Sequence, residues 1–166
     1  VERLSLDRNA MGDDGAVAIA DALTRRHASH AGGESSLTSL DMSYNGIGPR
    51  GAAALAAALR YTPRLRELWL SSNDVSDRGA AALGSALRDS AQGLGALSLH
   101  DNAIGADGGA AIAHAMSANR ELAALPGALH FDDVPEYVVA KVEAAVYRNR
   151  DAHRAGGDAV MPLPRS

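Results

Sequence analysis

A repetitive α/β architecture, one strand followed by one helix in each repeat, is the fold the sequence predicts. Three observations carry that expectation. One apolar frame recurs four times along the chain, its spacing switches from two to four within each copy, and aromatic residues are scarce. Hydrophobic residues are 46% and charged residues 22% of the 166, proportions of a folded domain rather than a disordered segment. Aromatics are only 4%, with one tryptophan and one phenylalanine. The core must therefore be built from Ala, Leu, Ile and Val in close, regular packing.

The elements follow in order. Val1, Leu4, Leu6, Asn9, Met11 and Gly12 form the first copy of L-x-x-L-x-L-x-x-N-x-I-G. Its period-2 pair predicts a strand over 1–6, and the following apolar positions, spaced by four, predict a helix over 14–26. Leu23 to Leu37 spans fourteen residues where Leu59 to Leu65 spans six, so 24–36 carries an insertion of eight, expected as an exposed loop on one edge. Leu37, Leu40, Met42, Asn45, Ile47 and Gly48 predict a strand over 37–42 and a helix over 50–61, with Pro49 in the first helical turn, where its missing N–H costs nothing. Leu65, Leu68, Leu70, Asn73, Val75 and Ser76 give a strand over 65–70 and a helix over 78–90. Leu94, Leu97, Leu99, Asn102, Ile104 and Gly105 give the last pair, over 94–99 and 107–118.

A fifth copy starts at Leu122 and Leu125, but Pro126 and Gly127 then occupy strand positions, so the repeat decays there. Residues 134–150 read as a longer helix whose Tyr137, Val138, Val142, Ala145 and Val146 would close the end of the stack. This divides the chain into repeats over 1–121, a degenerate repeat and cap over 122–150, and a loosely held tail over 151–166. The first strand begins at Val1 with no cap before it, so the chain is expected to be part of a longer solenoid.

This frame, recurring at 28 and 29 residues between Asn45, Asn73 and Asn102, resembles the ribonuclease-inhibitor-like class of leucine-rich repeat proteins. That class includes ribonuclease inhibitor, NOD-like receptors, tropomodulin-like actin caps and the Ran GTPase-activating protein. The resemblance implies a horseshoe α/β solenoid, with a parallel sheet on the concave face and helices on the convex face, and a protein partner. The stack has its own physical logic, because one repeat cannot bury its apolar face alone. A column of asparagines can satisfy the backbone groups that leave the sheet at each turn.

Composition removes several functions. With no cysteine there is no disulfide framework, thiolate metal site or cysteine nucleophile, which fits a reducing, cytoplasmic setting. The net charge of −4 lacks the basic stripe of a nucleic-acid binder. No run approaches the ~18 apolar residues of a membrane span, and no signal peptide is visible at the start.

Four motifs invite a chemical reading. Gly46, Gly48 and Gly51 form G-x-G-x-x-G between a strand and a helix, the dinucleotide context. Gly48 and Gly51 also fall in repeat columns with Gly12 and Gly15 and with Gly105 and Gly108, so they read as structural, and no cofactor is expected. His27, His30 and Glu34 lie in the insertion, where a polar loop explains them better than a metal. His100 and Asp101 face the concave side, but no serine is placed by spacing to complete a triad. Asp132 and Asp133 precede the cap helix, whose N-terminus they would complement.

The alternation of each strand defines the recognition face. Ser5, Asp41, Trp69 and Ser98 lie between the inward leucines and point to the concave side. Arg3, Ser39, Glu67 and Ala96 precede them, and Asp7, Ser43, Ser71 and His100 follow. Arg8, Tyr44, Ser72 and Asp101 stand at the rim. Trp69 is expected to be the anchor, with Tyr44 beside it, because Trp and Tyr dominate interface hot spots. The candidate binding set is thus Arg3, Ser5, Asp7, Asp41, Tyr44, Glu67, Trp69, Ser71, Ser98 and His100.

The sequence therefore predicts a non-catalytic module that binds a protein partner through its concave face. Two alternatives stand beside it. One is a structural subunit of a large cytoskeletal, flagellar or ribosomal assembly. The other is a GTPase-activating protein for a small GTPase, which the resemblance implies would use an arginine on the loops after the strands: Arg8, Arg50 or Arg78.

Overall fold

A computed structural model describes residues 1–28, 36–89, 93–119, 134 and 136–155, with the side chains of 26–28 and 153–155 left aside. The degenerate fifth repeat, Asp132 and Asp133, the metal reading of His27, His30 and Glu34, and the end of the tail lie outside the described residues or side chains.

Each copy of the frame forms one short strand and one helix. The strands are β1 (Arg3–Ser5), β2 (Ser39–Asp41), β3 (Glu67–Trp69) and β4 (Ala96–Ser98), in one parallel sheet ordered as in the chain. The helices are α1 (Gly12–Ala28), α2 (Pro49–Ala58), α3 (Ser76–Asp89), α4 (Ala106–Ala118) and α5 (Glu136–Ala155). Each packs on the next in order. Regular β pairing covers three residues of each strand, shorter than the predicted six. Helix α2 stops at Ala58 and tightens into a 3₁₀ turn over Leu59–Tyr61.

The register aligns the columns read in the sequence. Leu4, Leu40, Leu68 and Leu97 are Cα partners across the sheet. Leu40, Leu68 and Leu97 are buried, as are Met42, Leu70, Leu99, Leu55, Leu83, Ile112 and Met116 from the next apolar columns. One core runs the length of the stack. Small residues set the layer spacing: a Cβ on Gly84 of α3 would stand 3.0 Å from the Ala111 carbonyl oxygen of α4.

The asparagine column works across repeats. The Oδ1 of Asn73 accepts the N–H groups of Asn45 (3.0 Å) and Ile47 (2.9 Å) in the preceding repeat. Its amide donates to the carbonyls of Met42, Leu70 and Ser71. Asn45 repeats this toward Asn9 and Met11, and Asn102 toward Val75. Each turn is thus completed by the next repeat, which supplies partners for its N–H donors.

A second side chain works in the opposite direction. Asp13 Oδ1 accepts the N–H groups of Gly48 (2.8 Å) and Gly51 (2.6 Å), at the start of α2. Asp77 does the same for Gly105 (2.6 Å) and Gly108 (2.9 Å), at the start of α4. A carboxylate on orphan N–H groups at a positive helix end satisfies both hydrogen bonding and charge. The corresponding residues of the second and fourth repeats are Pro49 and Ala106, which cannot supply it. We expect Asp77→Ala to lower stability by about 1–2 kcal/mol, measured by urea denaturation. Ala106→Ser, in the same column, should change little.

Helix α5 caps the last layer. Val138, Val142 and Ala145 are buried, and Val146 packs against the core. Tyr137 departs from the expectation: it is 63% exposed, turned outward with Lys141 over its ring at 5.6 Å. The helix also runs to Ala155, past the predicted end at 150. Its last turns hold polar ends of the stack, with Arg148 donating to the Met116 carbonyl (3.1 Å) and Asn149 to that of Asn119 (2.9 Å). Basic and amide donors at a helix C-terminus satisfy its orphan carbonyls.

Candidate functional site

The concave face is laid out by ladder bonds that continue past the strands. Leu6 and Arg8 donate to the carbonyls of Asp41 and Ser43, Met42 and Tyr44 to those of Trp69 and Ser71, and Leu70 and Ser72 to those of Ser98 and His100. The columns therefore stay aligned to the rim. There Arg8, Tyr44, Ser72 and Asp101 share one left-handed conformation, with φ of 57°, 56°, 53° and 52°. This conformation turns the chain off the sheet toward each helix and is uncommon for residues with a Cβ.

The ten predicted residues all lie on this surface, but they divide into groups. Arg3 reaches past Ser39 to pair with Glu67 at 3.1 Å. Ser5 donates to Asp7 at 2.8 Å. Arg8 lies over the Tyr44 ring at 4.4 Å, with Asp7 at 4.0 Å from its Nη1. Tyr44 remains 48% exposed. At the centre, Asp41 and Trp69 are register partners and both half-buried. The Asp41 carboxylate accepts the Ser43 N–H at 2.9 Å.

The third group brings two serines to His100. Ser71 lies 2.9 Å and Ser98 3.1 Å from His100 Nδ1, and the two hydroxyls are 2.6 Å apart. Ser98 precedes His100 by two residues on the same face, and Ser71 holds the same column as His100 in the neighbouring repeat. The cluster is not a hydrolytic triad. Both hydroxyls share Nδ1 while Asp101 stands 3.9 Å from Nε2, beyond hydrogen-bond reach, so no carboxylate orients the ring. Ser98 and Ser71 are also buried, at 0% and 3% exposure. Alternation gave their side of the sheet correctly but not their exposure, and they hold His100 in place rather than offer a contact.

The G-x-G-x-x-G of Gly46, Gly48 and Gly51 is also settled by geometry. The Gly48 and Gly51 N–H groups that a pyrophosphate would need are taken by Asp13. Sequence reasoning missed this role, although an Asp four residues after Asn9 and Asn73, followed one repeat later by Gly-x-x-Gly, is legible in the sequence. Arg50 lies against Asp14 and Asp13, whose hydrogen bonds and charge raise its pKa above the ordinary value, Asp14 contributing most. Among the described residues no group of three or more metal-ligating side chains could hold an ion, and no helix is long and apolar enough to cross a membrane.

With columns, register and asparagine ladder in place, comparison with known proteins decides the family. Residues 1–20, 34–56, 63–84 and 94–113, just over half of the chain, match the family described as Leucine Rich repeat. The chain is a leucine-rich repeat protein. Its solenoid is similar to the structure of actin-binding site 2 of leiomodin-1, with a TM-score of 0.76 at 19% identity, covering 93% of this chain and 84% of that one. It is also similar to the tropomodulin C-terminal domain of Caenorhabditis elegans, with a TM-score of 0.73 at 13% identity, covering 95% and 89%. No curated protein sequence matches this leucine-rich repeat chain. At these identities the likeness is one of fold, and it agrees with the ribonuclease-inhibitor-like class that the frame resembles.

Proposed function

We propose that this leucine-rich repeat chain is a non-catalytic protein-interaction module that binds its partner through the concave sheet face, in the cytoplasm. The observation that carries the reading is Trp69: the one tryptophan of the chain stands half-buried at mid-sheet, beside Asp41 and away from the apolar core. A large ring fixed on a rigid sheet binds with little loss of conformational freedom. An actin-binding site of leiomodin-1 among the structural neighbours supports a protein as the ligand.

The test is site-directed photocrosslinking in native lysate, with the crosslinker at Ser5 on the concave face or at Ala110 on the exposed side of α4. One protein captured only from Ser5 is the expected result. Trp69→Ala should then weaken that partner by about 2 kcal/mol, roughly 30-fold, while circular dichroism stays unchanged. Capture from Ala110 alone would reject concave binding.

One observation favours a structural subunit instead. Tyr137 and Tyr147 are 63% and 67% exposed on α5, and a crosslinker at Tyr147 would report contacts made there. The GTPase-activating alternative is less well supported. Arg8 is laid on Tyr44, Arg50 is held by Asp14 and Asp13, and Arg78 sits in the first turn of α3.

A further inference from the structure

The concave face brings an aromatic ring and a carboxylate together at two places, and only one of them holds a cation. Near the rim an aromatic ring and a carboxylate, Tyr44 and Asp7, flank the guanidinium of Arg8, 4.4 Å from the ring centroid and 4.0 Å from the acid. At the centre a ring and a carboxylate stand side by side on neighbouring strands, Trp69 and Asp41, in direct register. Among the described residues no cation lies over Trp69 and no basic group pairs with Asp41. The face's own cations are committed elsewhere, Arg3 to Glu67 and Arg8 to Tyr44 and Asp7.

We propose that the partner inserts an arginine side chain between Asp41 and Trp69. The proposal rests on the concave-binding reading and names the chemistry of that partner: a segment that presents an arginine to the centre of the face. Three properties point to arginine. Trp presents the most electron-rich face to a cation. The guanidinium plane stacks on a ring while its edge donates to a carboxylate, which a compact ammonium does less well. Once Arg3 and Arg8 have paired with Glu67 and Asp7, Asp41 is the charge left at mid-sheet, so the centre of the face is complementary to a cation.

Trp69 is the sole tryptophan, so its fluorescence reports on this spot directly. The probes are three synthetic ten-residue peptides in which glycine alternates with arginine, with citrulline or with glutamate. Citrulline keeps the shape of arginine without its charge. The expected result is a saturable change in Trp69 emission with the arginine peptide, at least tenfold weaker with citrulline, absent with glutamate, and weakening as salt rises.

Asp41→Asn should reduce arginine-peptide affinity about tenfold. The asparagine oxygen can still accept the Ser43 N–H, so the turn is kept. Asp74→Asn, which removes an exposed acid after the rim, should leave affinity unchanged. Equal binding of arginine and citrulline peptides, no response to arginine, or equal losses in Asp41→Asn and Asp74→Asn would each overturn the proposal. If Ser5 still captures a partner in that case, concave binding survives and only the arginine assignment fails.

Discussion

Replacing Asn73 with alanine is expected to cost about 3 kcal/mol or more of folding stability. The side chain serves two buried N–H donors, of Asn45 and Ile47, and three carbonyls, of Met42, Leu70 and Ser71. Alanine leaves the Asn45 and Ile47 N–H groups without a partner where water has little access, whereas the carbonyls of Met42, Leu70 and Ser71 keep the Asn45 amide, the Asn102 amide and the Tyr44 N–H; the penalty for an unsatisfied buried group is larger than the net value of a formed bond. Asn9 supplies the contrast. It is exposed and its side chain donates to the Asp7 carbonyl, so Asn9→Ala should cost less than about 1 kcal/mol. Urea midpoints of the two variants measure the difference. Similar losses would show that the ladder is not what holds the turns.

The second large effect is expected at Gly51, where valine should cost about 3 kcal/mol. A Cβ there would stand 2.7 Å from Asp13 Oδ1 and 2.8 Å from both the Ala16 Cβ and the Ile47 Cγ2. Two of these neighbours are core atoms that cannot swing aside, and the third is the carboxylate that caps α2. Valine would therefore overpack the layer and expel the cap together. The two losses share one cause, so Gly51→Val combined with Asp13→Ala should be less destabilised than the sum of the single variants. Gly46→Ala is the control, since nothing but Asp74 approaches its Cβ, at 3.9 Å. Its cost should be only the strain of a φ of +66°, about 1 kcal/mol. Thermal denaturation of the four variants reads all of these values.

The fold was legible because its determinants repeat. The leucine columns gave the strands, their register and the inward face, since any slip by one residue would have turned Leu40 and Leu68 to solvent. The asparagine column gave the buried turns. What stayed hidden depends on neighbours that differ from one repeat to the next. Ser71 and Ser98 are hydrogen-bonded to His100 of the last described repeat, and the reach of Arg3 to Glu67 passes over a whole strand. Neither is a property of a column. Tyr137 was misassigned for a related reason: a cap helix has one partner layer, and hydrophobicity alone does not say which side of its stripe meets it. On the concave face, position was readable throughout, but exposure and pairing were not.

The caps from Asp13 and Asp77 have a consequence for how such a chain can grow or shrink. Odd repeats give a carboxylate to the next helix and even repeats receive one, whereas every asparagine serves the repeat before it. The asparagine ladder has a period of one repeat, but the capping pattern has a period of two. Removing the second repeat alone would set Asp13 against Ser76, whose backbone is left-handed, in place of Gly48. Removing the second and third together would set Asp13 against Gly105 and Gly108, restoring the same contact. The heritable module of this solenoid is therefore a couplet: tandem duplications or deletions keep every helix start intact only in steps of two.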